Sequence, residues 1–156
     1  MNNKPTAIVI GGGQTLGAFL SKGLADAGYR VAVADLNGDN AERVAAEINA
    51  AHGAGSAAGF AADATNEAAV DELAAAVDRT FGRSDLLLYS AGIAKASPIW
   101  EFPLKDFQRS LDVNLTGYFL CARAFARLMI RDGIQGRIIE INSKSGKVGS
   151  KYNAGY

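Results

Sequence analysis

TAIVIGGGQTLGAFL, residues 6–20, is an apolar, β-rich run that breaks into glycines and resumes with a different period. The run Thr6–Ile10 has no polar alternation, the mark of a strand covered on both faces. After the glycines, Leu16, Phe19, Leu20, Leu24 and Ala27 recur at helical spacing until Gly28 offers a C-cap. A strand, a glycine turn and a helix in this order form the opening half of a βαβ unit.

The same alternation continues along the chain. RVAVAD (30–35) reads as a second strand and 40–51 as an alanine-rich helix. AAGFAAD (57–63) is a weaker strand, followed by a helix over 66–81 that Gly82 ends. LLLYS (86–90) and RIIEIN (137–142) complete a set of five strands. Between these last two, Asp106–Arg131 is the longest helical pattern. Its apolar residues cover more than one stripe, so it needs two partners, one of them a sister subunit in a homo-oligomer (dimer or tetramer). Strands separated by crossover helices predict a parallel sheet with helices on both faces, a doubly wound, Rossmann-like α/β domain with right-handed connections. Residues 1–156 read as one such domain, without internal repeat, linker or low-complexity tail.

Composition narrows the function classes. Hydrophobic residues are 49% of the chain, and 16 basic residues balance 16 acidic ones. No basic field points to nucleic acid or an anionic membrane. The apolar run 86–94 lies between Asp85 and Lys95 and falls well short of the roughly 20 residues of a spanning helix. The single cysteine, Cys121, forms no internal disulfide and fits a reducing, cytoplasmic setting. It reads as a small buried hydrophobe in GYFLCARAF. The single histidine, His52, has no second His or Cys beside it, so a metal site is not expected and His52 reads as structural.

The glycine turn has two readings. One is a tight strand-to-helix connection; the other is a backbone that approaches a pyrophosphate held on the helix N-terminus. The G-x-G-x-x-G spacing is not met, since Leu16 stands where its last glycine belongs. A G-x-x-x-G-x-G pattern fits better, with Gly11 and Gly17 at the ends and Thr15 in the middle position. Asp35 favours the nucleotide reading, because a carboxylate ending the second strand accepts both ribose hydroxyls of an adenosine. It would repel a 2′-phosphate, and no cation stands at Gln14, Leu36 or Asn37, so NAD is expected over NADP. Asp63, ending the third strand, either meets an adenine amino group or caps the next helix.

At these residues the chain resembles the short-chain dehydrogenase/reductase family. The glycine turn, Asp35, Asp63, YSAG (89–92), Asn114 and INS…GY fall in that family's order over the length of the chain, and Ser143 and Tyr156 have its serine-to-tyrosine spacing. Longer strings such as YSAGIAK and RLMIRDGIQGRII resemble the branch that interconverts sorbitol 6-phosphate and fructose 6-phosphate. Two positions depart from the wider family: Tyr89-Ser90 replaces Asn-Asn, and Thr15 replaces a glycine.

The resemblance implies an NAD-dependent oxidoreductase. Gly11, Gln14, Thr15, Leu16, Gly17, Asp35, Asp63, Ala64, Ser90, Ala91 and Gly92 would bind the cofactor. Tyr156 would exchange the substrate's proton, Ser143 would hydrogen-bond the same oxygen, and Asn114 would hold a relay water. Asn114 has an alternative reading as a buried amide with another partner. A phosphorylated polyol or ketose needs cations, and Lys95, Lys144, Lys147 and Lys151 follow the fourth and fifth strands; each reads equally as a solvated loop charge. Tyrosine titrates near about 10, and the family lowers this with a lysine four residues beyond the tyrosine. That position would follow residue 156, so the chain is expected to be the N-terminal portion of the enzyme. The competing expectations are a family member acting on an unphosphorylated polyol or ketone, and a catalytically silent NAD-binding module.

Overall fold

The computed structural model describes residues 4–156. Five strands, β1 (Thr6–Ile10), β2 (Arg30–Asp35), β3 (Ala57–Ala61), β4 (Leu86–Tyr89) and β5 (Arg137–Glu140), form one parallel sheet in the order β3-β2-β1-β4-β5. Helices α1 (Thr15–Asp26), α2 (Gly38–His52), α3 (Glu67–Phe81), α4 (Leu104–Leu111) and α5 (Gly117–Arg131) connect them.

Side chains of a strand alternate between faces, and the core divides accordingly. Ile8, Ile10, Leu87 and Tyr89 pack on one side with Val70, Val77, Phe125 and Met129 of α3 and α5. Val9, Val31, Val33 and Leu88 pack on the other with Ala41, Val44 and Ile48 of α2. The inner strands therefore read as continuous apolar runs. β5, at the edge, leaves Ile138 and Ile139 exposed.

Helix α1 corrects its own hydrophobic pattern. Phe19 is 74% and Leu16 50% exposed, whereas Gly17, Ser21 and Ala25 are buried. Leu20 and Leu24 pack only partly on the core. The helix lies so close to the glycine turn that a Cβ at Gly17 would sit 1.8 Å from the Gly11 carbonyl oxygen. Only a small-residue face permits that approach, so the large apolar side chains are turned outward.

The long pattern at 106–131 is also more structured than its periodicity. A π-helical turn, Asp112–Thr116, joins α4 to α5, and the flanking residues keep right-handed helical backbone, so the three pieces run on as one element. Its two stripes separate: Val113, Leu120, Cys121, Phe125 and Met129 are buried, while Leu111, Leu115, Phe119 and Ile130 are exposed. Burial pushes the Cys121 thiol up to about 12, which makes it inert packing. His52 ends α2 and contacts Asp26 at the end of α1 at 3.0 Å.

Strands β1, β2 and β3 grow the sheet in one direction, and β4 then pairs with the free side of β1. Connections leaving β1 and β4 diverge there, which opens a crevice at their carboxyl ends. The amino ends of these strands are tied instead. The Asp85 carboxylate accepts the Thr6 N–H at 2.7 Å, and Arg30 donates to the Thr6 hydroxyl and the Phe81 carbonyl.

Candidate active site

Three neighbouring glycines shape the first wall of the crevice. Gly11 has φ +74°, and a Cβ there would meet the Ala91 backbone at 2.8 Å. A Cβ on Gly13 would meet an Asp35 carboxylate oxygen at 2.9 Å. Thr15 has φ +45°, a left-handed conformation that favours glycine, so this chain keeps the backbone bend of the position without the residue that usually makes it. Thr15 also opens α1, whose N-cap Gln14 makes no side-chain cap bond and whose first turn has no acidic residue. By contrast, α2 and α3 are capped by the side chains of Asn37 and Asn66 and carry acidic first turns. The free N–H groups of α1 thus face the crevice with their partial positive charge uncompensated.

Asp35 is buried and stands beside that turn. One carboxylate oxygen accepts the Gly13 N–H and the other the Asn37 N–H, both at 3.0 Å. Each oxygen retains a lone pair for a ligand hydroxyl. The shallow cleft beyond it is lined by Gln14, Asp35, Leu36, Asn37, Gly38, Asp39 and Asn40, two carboxylates and no cation. Asp63 accepts both the N–H and the hydroxyl of Thr65, at 2.9 and 2.7 Å, and these bonds hold its carboxyl below the usual range. It does not cap α3; Asn66 does, by accepting the Ala69 N–H. The capping alternative for Asp63 is thereby corrected: the loop after β3 is three residues longer than that reading needs.

A cavity of about 200 Å³ unites these groups, with Gly11, Gln14, Thr15, Asp35, Asp63, Ala64, Ser90, Ala91 and Gly92 among its walls. It also reaches Arg109 and Val113 of the long helical element, which sequence reasoning did not single out. A turn that tolerates no Cβ, an open helix end and a buried carboxylate in one crevice fit a dinucleotide. Gly12 and Gly13 are buried behind the turn, where a Cβ on Gly12 would meet the Ser21 hydroxyl and the Val9 carbonyl at 2.9 Å.

The second cleft, about 450 Å³, adjoins the first through Ser90, Ala91, Gly92 and Ile93. Asn114, Ser143 and Tyr156 all line it, together with Leu16, so the three residues that the resemblance implies for catalysis meet in one place. Gly17 is the exception among the nucleotide-side residues; it lies beneath the turn and shapes it. Ser143 caps a short 3₁₀ turn, Lys144–Gly146, by accepting the Ser145 N–H at 3.2 Å, which leaves its own proton available to a ligand. Asn114 sits in the π turn. Its Oδ1 accepts the Ile93 N–H and its Nδ2 donates to the Ile93 carbonyl, each at 2.9 Å. The amide is half-buried rather than buried as expected; it has a partner in the backbone after β4 and keeps one N–H and one lone pair beyond it. Glu140 and Asn142 also border this cleft, at the end of β5.

The four lysines do not converge. Lys95 is ion-paired with Asp106 of α4 at 2.5 Å. Lys144 and Lys147 are exposed and line neither cleft. Lys151 lines a third cleft with Trp100, Tyr152, Ser145 and Ser150, and Tyr156 forms part of that wall too.

A parallel sheet flanked by helices, with a crevice at the switch point of its strand order, defines the class of doubly wound, Rossmann-like α/β domains. The chain belongs to the short chain dehydrogenase family, whose model matches residues 5–156. It is 69% identical over 150 residues to the sorbitol-6-phosphate 2-dehydrogenase of Escherichia coli K12, an alignment that covers 96% of this chain and 58% of that protein. It is 39% identical to the NAD(+)-dependent 2-dehydro-3-deoxy-L-rhamnonate dehydrogenase of a Sphingomonas species, over 96% of this chain and 58% of that protein. Among solved structures, the sorbitol-6-phosphate 2-dehydrogenase of Erwinia amylovora superposes with a TM-score of 0.95 at 71% identity, covering 96% of this chain and 59% of that one. The chain thus spans less than two thirds of the length of these relatives.

Among the described residues, no helix is long and apolar enough to cross a membrane.

Proposed function

We propose that the protein is an NAD-dependent oxidoreductase that interconverts sorbitol 6-phosphate and fructose 6-phosphate. The observation that carries this reading is the meeting of Asn114, Ser143 and Tyr156 in a cleft continuous with the nucleotide cradle. High identity to sorbitol-6-phosphate dehydrogenases supports the substrate. A cytoplasmic setting goes with it, since the one cysteine is a free, buried thiol.

Bound NAD supplies the acceptor for the hydride that leaves the carbinol carbon. Tyr156 takes the hydroxyl proton during oxidation and returns it to the carbonyl oxygen in reduction. Ser143 donates its free proton to the same oxygen and steadies the charge that develops there. Asn114 holds the Ile93 backbone, and its spare N–H and lone pair are left for a relay water. Asp35 would accept from the adenosine ribose hydroxyls, and Asp63 would meet the adenine amino group.

Of the lysines, Lys151 is assigned to the substrate phosphate, because it shares a cleft wall with Tyr156 and with the Ser145 and Ser150 hydroxyls. Lys95 is already neutralised by Asp106. Lys151→Met is expected to raise KM for sorbitol 6-phosphate at least tenfold, about what one charge-assisted hydrogen bond supplies, with kcat much less affected. An unchanged KM would remove Lys151 from the phosphate site.

The exposed stripe of Leu115 in the π turn with Phe119 and Ile130 on α5 supports a homo-oligomer, checked by the sedimentation mass of the purified protein. NADH formation with sorbitol 6-phosphate, set against plain sorbitol, tests the reading as a whole. Turnover of the phosphate ester alone is expected. Equal rates with both would favour an unphosphorylated polyol as substrate, and NAD binding without turnover of either would favour a silent binding module.

A further inference from the structure

We propose that the hydroxyl of Tyr89 is a positioning group, which pins the π turn of the long helical element so that Asn114 can hold the Ile93 backbone between the two clefts. The proposal rests on the assignment of Asn114 to the catalytic cleft. It concerns a position where this chain has tyrosine and the wider family's pattern has asparagine.

Tyr89 ends β4 and is 1% exposed. Its hydroxyl donates to the Val113 carbonyl at 2.5 Å. Val113 lies inside the π turn, where the shift from i→i+4 to i→i+5 bonding disturbs the carbonyl pairing of the helix. The phenol thus supplies a donor where the regular ladder is interrupted. The very next residue, Asn114, makes its paired bonds to Ile93, four residues after Tyr89 in the chain. Two ties close a ring of contacts around Ser90, Ala91 and Gly92, the segment that forms the shared wall of the nucleotide and catalytic clefts.

Space around the hydroxyl is kept for this purpose. A Cβ on Gly117 would sit 2.4 Å from the Tyr89 oxygen. The ring itself is held by core packing and by an edge contact with Tyr118 at 5.8 Å between centroids. A phenylalanine would fill the same volume, so packing alone does not require the oxygen. Burial raises the pKa of this phenol, which keeps its proton in place as a donor.

The test uses Tyr89→Phe, Gly117→Ala and Asn114→Ala in the whole enzyme, with two readouts. The first is hydrogen exchange of the Ile93 amide, which donates to Asn114 Oδ1 at 2.9 Å. Its protection is expected to fall about tenfold in both Tyr89→Phe and Gly117→Ala, the equivalent of one buried hydrogen bond, while the Leu87 amide is unchanged. The second is a double-mutant cycle on kcat. Tyr89→Phe alone is expected to lower kcat about tenfold, and to add little in the Asn114→Ala background. Unchanged Ile93 exchange in both single variants overturns the proposal, as does a kcat loss that multiplies in full with that of Asn114→Ala. The exchange arm decides even if sorbitol 6-phosphate proves to be the wrong substrate.

Discussion

Tyr156→Phe is expected to lower kcat for sorbitol 6-phosphate oxidation by roughly 10³-fold, within the range that general acid–base catalysis contributes. The substitution removes one oxygen at a half-exposed position, so the fold should not change. NAD affinity should stay within about twofold, because the tyrosine lines the catalytic cleft and not the nucleotide cavity, and uniform binding is separate from transition-state stabilisation. Steady-state NADH formation together with NAD titration of the variant separates the two effects. A variant that keeps a tenth or more of the parent rate would mean that another group moves the proton. Glu140, at the end of β5 on the same wall, would then be the first to examine.

Asp35→Asn is expected to raise KM for NAD by roughly 10- to 100-fold, the cost of replacing charge-assisted bonds to the ribose with neutral ones. The change should also narrow the preference for NAD over NADP, since the cleft beside Asp35 then holds only Asp39 as a carboxylate. Asparagine can still accept one of the two backbone bonds from Gly13 and Asn37, so the turn is weakened but not abolished. Measured KM values for both cofactors decide the matter. If KM for NAD stays at the parent value, Asp35 serves the turn alone and the ribose is held elsewhere.

Much of the site was open to sequence reading because it is local in the chain. Gly11, Thr15 and Asp35 announce themselves at the ends of two successive strands, and the structure brings them to one cavity. Ser143 and Tyr156 are thirteen positions apart in a single loop region, and both border the same cleft. The residues that sequence reading missed are those whose role depends on distant partners. Arg109 borders the same cavity as Asp35 although it lies seventy-four positions further along the chain. The hydroxyl of Tyr89 meets Val113 across twenty-four positions, and nothing in a π turn marks itself in periodicity.

Element order, the parallel sheet and the glycine turn between β1 and α1 were determined by the sequence alone, since short apolar runs, glycines and helical spacing act through neighbouring residues. The lateral order of the strands, the buried face of α1 and the cap of α3 were decided by tertiary structure. Leu16 and Phe19 follow a helical stripe, yet Gly17 and Ser21 face the sheet, because backbone closeness at the glycine turn outweighs the burial of larger side chains. Asp63 had the chemistry of a cap, but loop length gave that task to Asn66. Which of four lysines stands near Tyr156 was likewise a matter of where loops from two strands come to rest, and the range of a side-chain pattern does not extend that far.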